Sequence, residues 1–344
     1  MTPTRQGSFR LFRLWGIDVH LHWTWFVLAI YSISERIPRY ANPVWAVLEY
    51  GALFLIVLMH EFGHSLACRS VGGEARQIVL WPLGGVAYVS PPSRPGATLW
   101  SIAAGPLVNV VLVPVMLIIG LVCSRTGLTA AHPDLEVFLW IVSVLNIFLL
   151  GFNLLPIYPL DGGKILWSLL WFVVGKGRSL TFASLVGFVG GIGFAVFALV
   201  EAQMWYGVLA LFLLMQCWQG FQEARMFRRL EKLPRRAGFS CPECHTSPPI
   251  GPFWRCQGCG HPFDLFEGGS FCPKCGAHQA VAPCVDCGEM PPIQAWDSAT
   301  PLAARKGMNA TPSAITAELS SSGVVWILSV GEAPGLKASA SMLF

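Results

Sequence analysis

His60-Glu61-Phe62-Gly63-His64 sets two imidazoles four residues apart, with a carboxylate beside the first. On a helix, positions i and i+4 share a face, so both rings can bind one metal ion. The glutamate is then placed to take a proton from water, as in zinc hydrolases. A second set of metal-binding residues lies far along the chain. Cys241/Cys244, Cys256/Cys259, Cys272/Cys275 and Cys284/Cys287 are four CxxC pairs. Two such pairs close one tetrahedral zinc site, so the eight thiols predict two structural zinc ions.

The context of the first motif excludes an ordinary soluble hydrolase. Gly51 through Met59, directly before His60, is apolar without a break. The 344 residues are 54% hydrophobic and only 12% charged, whereas soluble domains run about 25% charged. The chain reads as an all-α polytopic membrane protein. It has six expected spans, about 20–37, 44–68, 98–123, 134–174, 181–200 and 204–222, each needing roughly 20 apolar residues. The arginines before residue 20 mimic a signal peptide, but no small-residue cleavage site follows, so the first span is read as retained. Arg5, Arg10, Arg13, Arg69, Arg76, Arg94, Lys176, Arg178 and the basic run Arg225–Arg236 fall on one side of such a bundle. Only Arg36, Arg39 and Arg125 fall on the other, which places both termini in the cytoplasm of a cell with this protein in its (inner) membrane.

The fourth span is too long for one helix and is broken by Gly151, Pro156, Pro159, Gly162 and Gly163. Non-helical backbone at membrane depth is tolerated only against protein or a wet cavity, so the break is a candidate site. Asp161 lies in it and is the expected third ligand of a catalytic zinc, since a lone carboxylate in lipid is costly. Asn146 and Asn153 are candidate substrate or oxyanion contacts. Asn109 reads as a helix-packing amide. Between the second and third spans, Gln77–Trp81 and Val86–Val89 flank Pro82-Leu83-Gly84-Gly85, which predicts a β-hairpin turning at the Gly-Gly pair. An exposed strand there would hold an unwound substrate by β-augmentation, with Gly84 and Gly85 in contact with it.

His60–His64, Gly105–Asn109 and Asn153–Gly163 resemble, in that order, the motifs of the site-2 protease family of intramembrane zinc metalloproteases, a peptidase M50-like group. Gly16–Trp23 resembles the start of the first span in bacterial and archaeal members. The resemblance covers roughly residues 8–225. It implies cleavage of membrane-spanning, often regulatory, proteins, with His60, His64 and Asp161 on zinc and Glu61 as general base. The sequence shows neither a PDZ-like insertion between the catalytic segments nor an obvious CBS pair after the last span.

The expected organisation is a protease domain over 1–225, a basic linker over 226–239, a double zinc ribbon over 240–290 and a flexible tail over 291–344. In the ribbon the first CxxC is expected to pair with the second and the third with the fourth; interleaved pairing is the alternative. A cytoplasmic setting argues against a disulfide framework. The ribbon suits a cytoplasmic protein partner. Its mixed charge gives little support to nucleic acid. A membrane zinc transporter or sensor, or a non-proteolytic scaffold, would use the same ligands.

Overall fold

The computed structural model describes residues 7–298 apart from 82, 83 and 203. The tail from residue 299 on, including Val324–Leu328, lies outside the described residues. The chain divides between Phe227 and Arg228 into two compact units.

The first unit holds β1 (Ser8–Leu14), β2 (Ile17–His22), α1 (Thr24–Arg36), α2 (Val44–Ser70), β3 (Glu74–Trp81), β4 (Gly84–Ser90), α3 (Pro95–Arg125), α4 (Leu128–Ala131), α5 (Pro133–Leu154), α6 (Asp161–Val174), α7 (Lys176–Val200) and most of α8 (Met204–Glu231). Among the described residues, α2, α3, α5 and α7 are long and apolar enough to cross a membrane by length and composition. They are inside-out relative to a soluble helix. α3 exposes Leu107, Val111, Leu117 and Leu121 and buries Thr98, Ser101 and Asn109. Such a helix gains nothing by hiding its apolar side from lipid, so its polar residues face other helices.

The first expected span is corrected. Residues 20–37 do not form one helix: β2 occupies their start, and α1 has only 13 residues. At about 1.5 Å per residue, α1 alone is shorter than the roughly 30 Å hydrocarbon core. Strand and helix in series nevertheless run antiparallel to α2. Arg69 donates to the Trp15 and Gly16 carbonyls, Trp15 packs on Phe62, Trp25 on Phe54, and Arg36 pairs with Glu49. The signal was the alternation Ile17-Asp18-Val19-His20-Leu21-His22, which buries Ile17, Val19 and Leu21 on one face.

The all-α expectation is corrected by the same segment. The predicted hairpin is part of a four-stranded sheet, ordered β1-β2-β3-β4. β2 runs parallel to β3, with Val19 opposite Ile78. β3 and β4 are antiparallel, with Leu80 opposite Gly85 and Trp81 opposite Gly84. Gly84 and Gly85 therefore lie in the strand and not in the turn. The fourth span is two helices, α5 and α6, with the chain between them folding back on itself. A Cβ on Gly162 would meet Leu154 O at 2.3 Å, and one on Gly163 would meet Tyr158 N at 2.3 Å. Only glycine lets that turn lie on the first turn of α6.

The second unit is built from four similar knuckles. Each sits at the tip of a short antiparallel pairing: Arg235 with Pro249, Trp254 with Phe263 (β5, Trp254–Arg255, and β6, Pro262–Phe263), Phe271 with His278, and Val281 with Pro292. They share a core of Trp254, Phe263, Leu265, Ala282 and Trp296. Trp296 lies in a 3-10 turn, Ile293–Trp296, which follows the last knuckle. The expected basic linker is helical through Glu231. Arg235 and Arg236 then pair with Asp286 and Asp264 of the ribbon itself.

Candidate metal centres and active site

His60 and His64 lie one turn apart in α2 and Asp161 is the first residue of α6. Asp161 Oδ2 is 3.0 Å from His60 Nε2 and 3.2 Å from His64 Nε2, and the two Nε2 atoms are 3.1 Å apart. A tetrahedral zinc with bonds of about 2.0–2.1 Å separates its ligands by about 3.3 Å, so the three atoms stand nearly where such an ion needs them. The other nitrogen of each ring is occupied. His64 Nδ1 lies 2.9 Å from the Ser101 carbonyl and His60 Nδ1 lies 2.7 Å from Asn109 Oδ1. A ring that donates from Nδ1 presents a bare Nε2 lone pair. Two such lone pairs and a carboxylate oxygen turned on one another are a poor arrangement without a cation and a good one for zinc. Three ligands leave a coordination position open, the pattern of catalytic zinc.

The closeness of the helices is set by small residues. A Cβ on Gly63 would meet Ala104 O at 2.7 Å, which fixes how near α3 comes to α2. A Cβ on Gly105 would meet His64 Nε2 at 2.2 Å, so the Gly105–Asn109 motif clears space for the ligand ring. Glu61 is buried beside the ligands. A Cβ on Gly85 would come within 2.3 Å of Glu61 Cγ. The end of β4 thus lies directly on the glutamate.

The structure redistributes the asparagines. Asn146 is fully buried and both ends of its amide bond Asn109, at 2.9 Å and 3.0 Å. It stands behind His60, not at the surface a substrate would meet as expected. Asn153 is half-buried near the end of α5. Asn109, read from sequence as a helix-packing amide, does bond between helices, and one of its partners is His60, which sequence reasoning did not name. The signal was present: an amide in an apolar span needs a partner, and the nearest demanding partner was a ligand histidine.

The cysteines form two clusters, but not the expected ones. Cys241, Cys244, Cys284 and Cys287 gather in one group and Cys256, Cys259, Cys272 and Cys275 in the other. The pairing is nested: first with fourth, second with third. Cross-knuckle sulfur separations are 3.7 Å (Cys241–Cys287), 3.6 Å (Cys244–Cys284), 3.5 Å (Cys256–Cys275) and 3.6 Å (Cys259–Cys272). A zinc with four bonds of about 2.3 Å holds its sulfurs about 3.8 Å apart, so both clusters fit. The four knuckles are alike, so spacing could not choose the pairing; packing does. Trp254 Nε1 donates to the Pro283 carbonyl and Gln279 Nε2 to Cys256 Sγ, binding the second knuckle to the third and fourth. The thiols also call for a cation. The Cys259 backbone N–H helps pull Cys256 down to about 6. The Ala277 N–H favours the Cys275 thiolate, but the thiols of Cys259 and Cys256 outweigh it and push Cys275 up to about 12. A divalent ion removes that conflict by letting all four ionise.

The sequence model of Peptidase family M50 matches residues 50–131 and 125–198, which contain both histidines, Glu61 and Asp161. A zinc metalloprotease of Methanocaldococcus jannaschii is 35% identical over 181 residues, covering 52% of this chain and 50% of the relative. The chain thus spans about half the length of the curated relatives it matches. A solved structure, the site-2 protease from Methanocaldococcus jannaschii, is 28% identical with a TM-score of 0.46, covering 62% of this chain and 95% of the other. The matched segments end before the cysteine ribbon.

Proposed function

We propose, on the premise that residues 50–198 carry the sequence of peptidase family M50, that this chain is an intramembrane zinc metalloprotease. Its substrates are membrane-tethered proteins, often regulatory, and it cuts them in or near their spanning segments. The observation that carries the reading is the meeting of His60, His64 and Asp161 at one point between apolar helices, with Glu61 beside them. His60 Nε2, His64 Nε2 and Asp161 Oδ2 would hold the ion. When bound, zinc supplies a Lewis acid that polarises the scissile carbonyl and lowers the pKa of water.

The chain's own residues do the rest. The Glu61 carboxylate takes a proton from the attacking water and returns it to the leaving amine nitrogen. A helical substrate offers no free peptide bond, because its carbonyls are already hydrogen-bonded. Among the described residues β4 pairs with β3 alone in the sheet, which leaves its other edge for an extended segment. Gly85 brings that edge against Glu61, and Gly84 and Asn153 are the remaining candidate contacts for the unwound chain. The inner face of the bundle excludes lipid and lets water meet the site from the cytoplasmic side.

The distribution of basic residues supports both termini in the cytoplasm. With the strand-plus-helix segment Ile17–Arg36 as the first crossing, the chain crosses six times as a multi-pass protein of the cell membrane. The protease portion is residues 1–225. The zinc ribbon that follows recruits or regulates through a cytoplasmic protein partner.

The test is a comparison of membrane-protein fragments in cells carrying the wild type or Glu61→Gln. New termini that map inside spanning segments, present only with the wild type, are expected. Cleavage confined to soluble loops, or identical fragments in both, would overturn the reading.

A further inference from the structure

We infer that Asn146 and Asn109 form a relay that fixes the tautomer of His60, and that the relay sets the affinity of the site for its metal. The inference rests on the proposed metal centre and concerns residues that do not touch the metal. Its starting point is a group with no choice of role. The Asn109 main-chain carbonyl can only accept a hydrogen bond. Asn146 Nδ2 lies 3.0 Å from it, so that end of the Asn146 amide is the NH2. The other end, Asn146 Oδ1, must then accept, and it does so from Asn109 Nδ2 at 2.9 Å. That leaves Asn109 Oδ1 facing His60 Nδ1 at 2.7 Å. An oxygen there requires the proton on Nδ1, and Nε2 is left bare toward Asp161 and His64.

Each step removes one amide flip or one tautomer, and both asparagines are 0% exposed, so no water competes. His64 needs no relay, because Ser101 O meets its Nδ1 directly. The two ligands of α2 are therefore oriented by different means: one by a main-chain carbonyl on α3, the other by side chains of α3 and α5 in series. Neither asparagine reaches the reacting atoms. Both are positioning residues. Outer partners of metal-bound histidine typically change metal affinity by roughly 10–100-fold.

The test uses the full chain in detergent, with zinc affinity read by chelator competition. The ribbon sites are counted apart by the thiolate–metal absorption they show with cobalt(II). Asn109→Ala is expected to weaken the histidine site by roughly 10–100-fold while leaving the ribbon sites alone. Asn109→Asp, which keeps an acceptor for Nδ1–H, restores the affinity. Asn146→Ala weakens the site less. The double variant is no weaker than Asn109→Ala, because Asn146 acts only through Asn109. Asn109→Leu, alike in branching and heavy-atom count, replaces the alanine variant if that one loses helix content.

Affinity unchanged in Asn109→Ala, with His60→Ala abolishing the site, would overturn the relay and spare the metal centre. Additive losses in the double variant would also overturn it, by showing that Asn146 acts independently. Affinity unchanged in His60→Ala would overturn the metal centre itself.

Discussion

The chain gathers metal ligands in two ways, and the contrast separates chemistry from scaffolding. In the membrane portion, three ligands of two types come from α2 and α6, and their positions are held by second contacts to Ser101 and Asn109. In the ribbon, four like ligands come from two nearly identical knuckles, and each position is set by the local turn. The first arrangement leaves a coordination position open and places a carboxylate beside it. The second is closed, and its sulfurs sit at the spacing of a saturated tetrahedron. The helices of the first stand without the ion, since small residues such as Gly63 and Gly105 already bring α2 and α3 together. The ribbon's core has few side chains, so its metal is part of its fold.

Removing a ligand on each side gives the sharpest break in that comparison. His60→Ala is expected to bring cleavage to background and to lower bound zinc by one equivalent, with helix content unchanged by circular dichroism. Cys284→Ser is expected to cost one zinc and the order of the ribbon, seen as lost near-ultraviolet signal. Adding Cys241→Ser to it costs no further zinc, whereas adding Cys259→Ser costs a second. A second zinc lost in the Cys241/Cys284 double would refute the nested pairing.

A smaller effect is expected where the strand meets the glutamate. Gly85→Ala places a methyl group where Glu61 Cγ now lies, at 2.3 Å. Either strand or carboxylate must move, and misplacement of about 1 Å near reacting groups can cost on the order of 100-fold. Turnover measured on a reconstituted substrate should fall by tenfold or more with zinc content intact. A variant as active as the wild type would detach β4 from the mechanism.

Which parts were legible follows from how each side encodes its ligands. His60, Glu61, His64 and Asp161 could be singled out because ionisable residues in apolar spans are expensive and need a reason, and the fold brings His60, His64 and Asp161 together. The eight thiols could be read because four CxxC pairs crowd into one short segment, the pattern of zinc knuckles. The knuckles' partners could not, because each knuckle is stabilised within itself and pairing depends on Trp254, Gln279 and Trp296 meeting across distant segments. The first span misled because Ile17–His22 is apolar enough for a helix and alternating enough for a strand. It is a strand because β1 and β3 satisfy its backbone on both sides. Asn109 was seen but underread, since sequence shows an amide and not its neighbour.

The smallest expected effect concerns one residue of the ribbon. After the second cysteine of each knuckle the chain takes a left-handed turn, filled by Gly260, Gly276 and Gly288 in three cases and by His245, at φ 60°, in the first. His245→Gly should stabilise the ribbon by about 0.5–1 kcal/mol, as relief of left-handed strain outweighs glycine's added freedom when unfolded. The check is a shift of the ribbon's denaturation midpoint at saturating zinc. A lowered midpoint would show that the His245 side chain contributes more than its backbone costs.

The most direct test of the central claim is Glu61→Gln in the purified chain, reconstituted in bilayers with a membrane-spanning substrate. The substitution keeps the side chain's size and removes its basicity. The account predicts that bound zinc stays at the wild-type level while cleavage disappears. Cleavage that persists with zinc bound would contradict it.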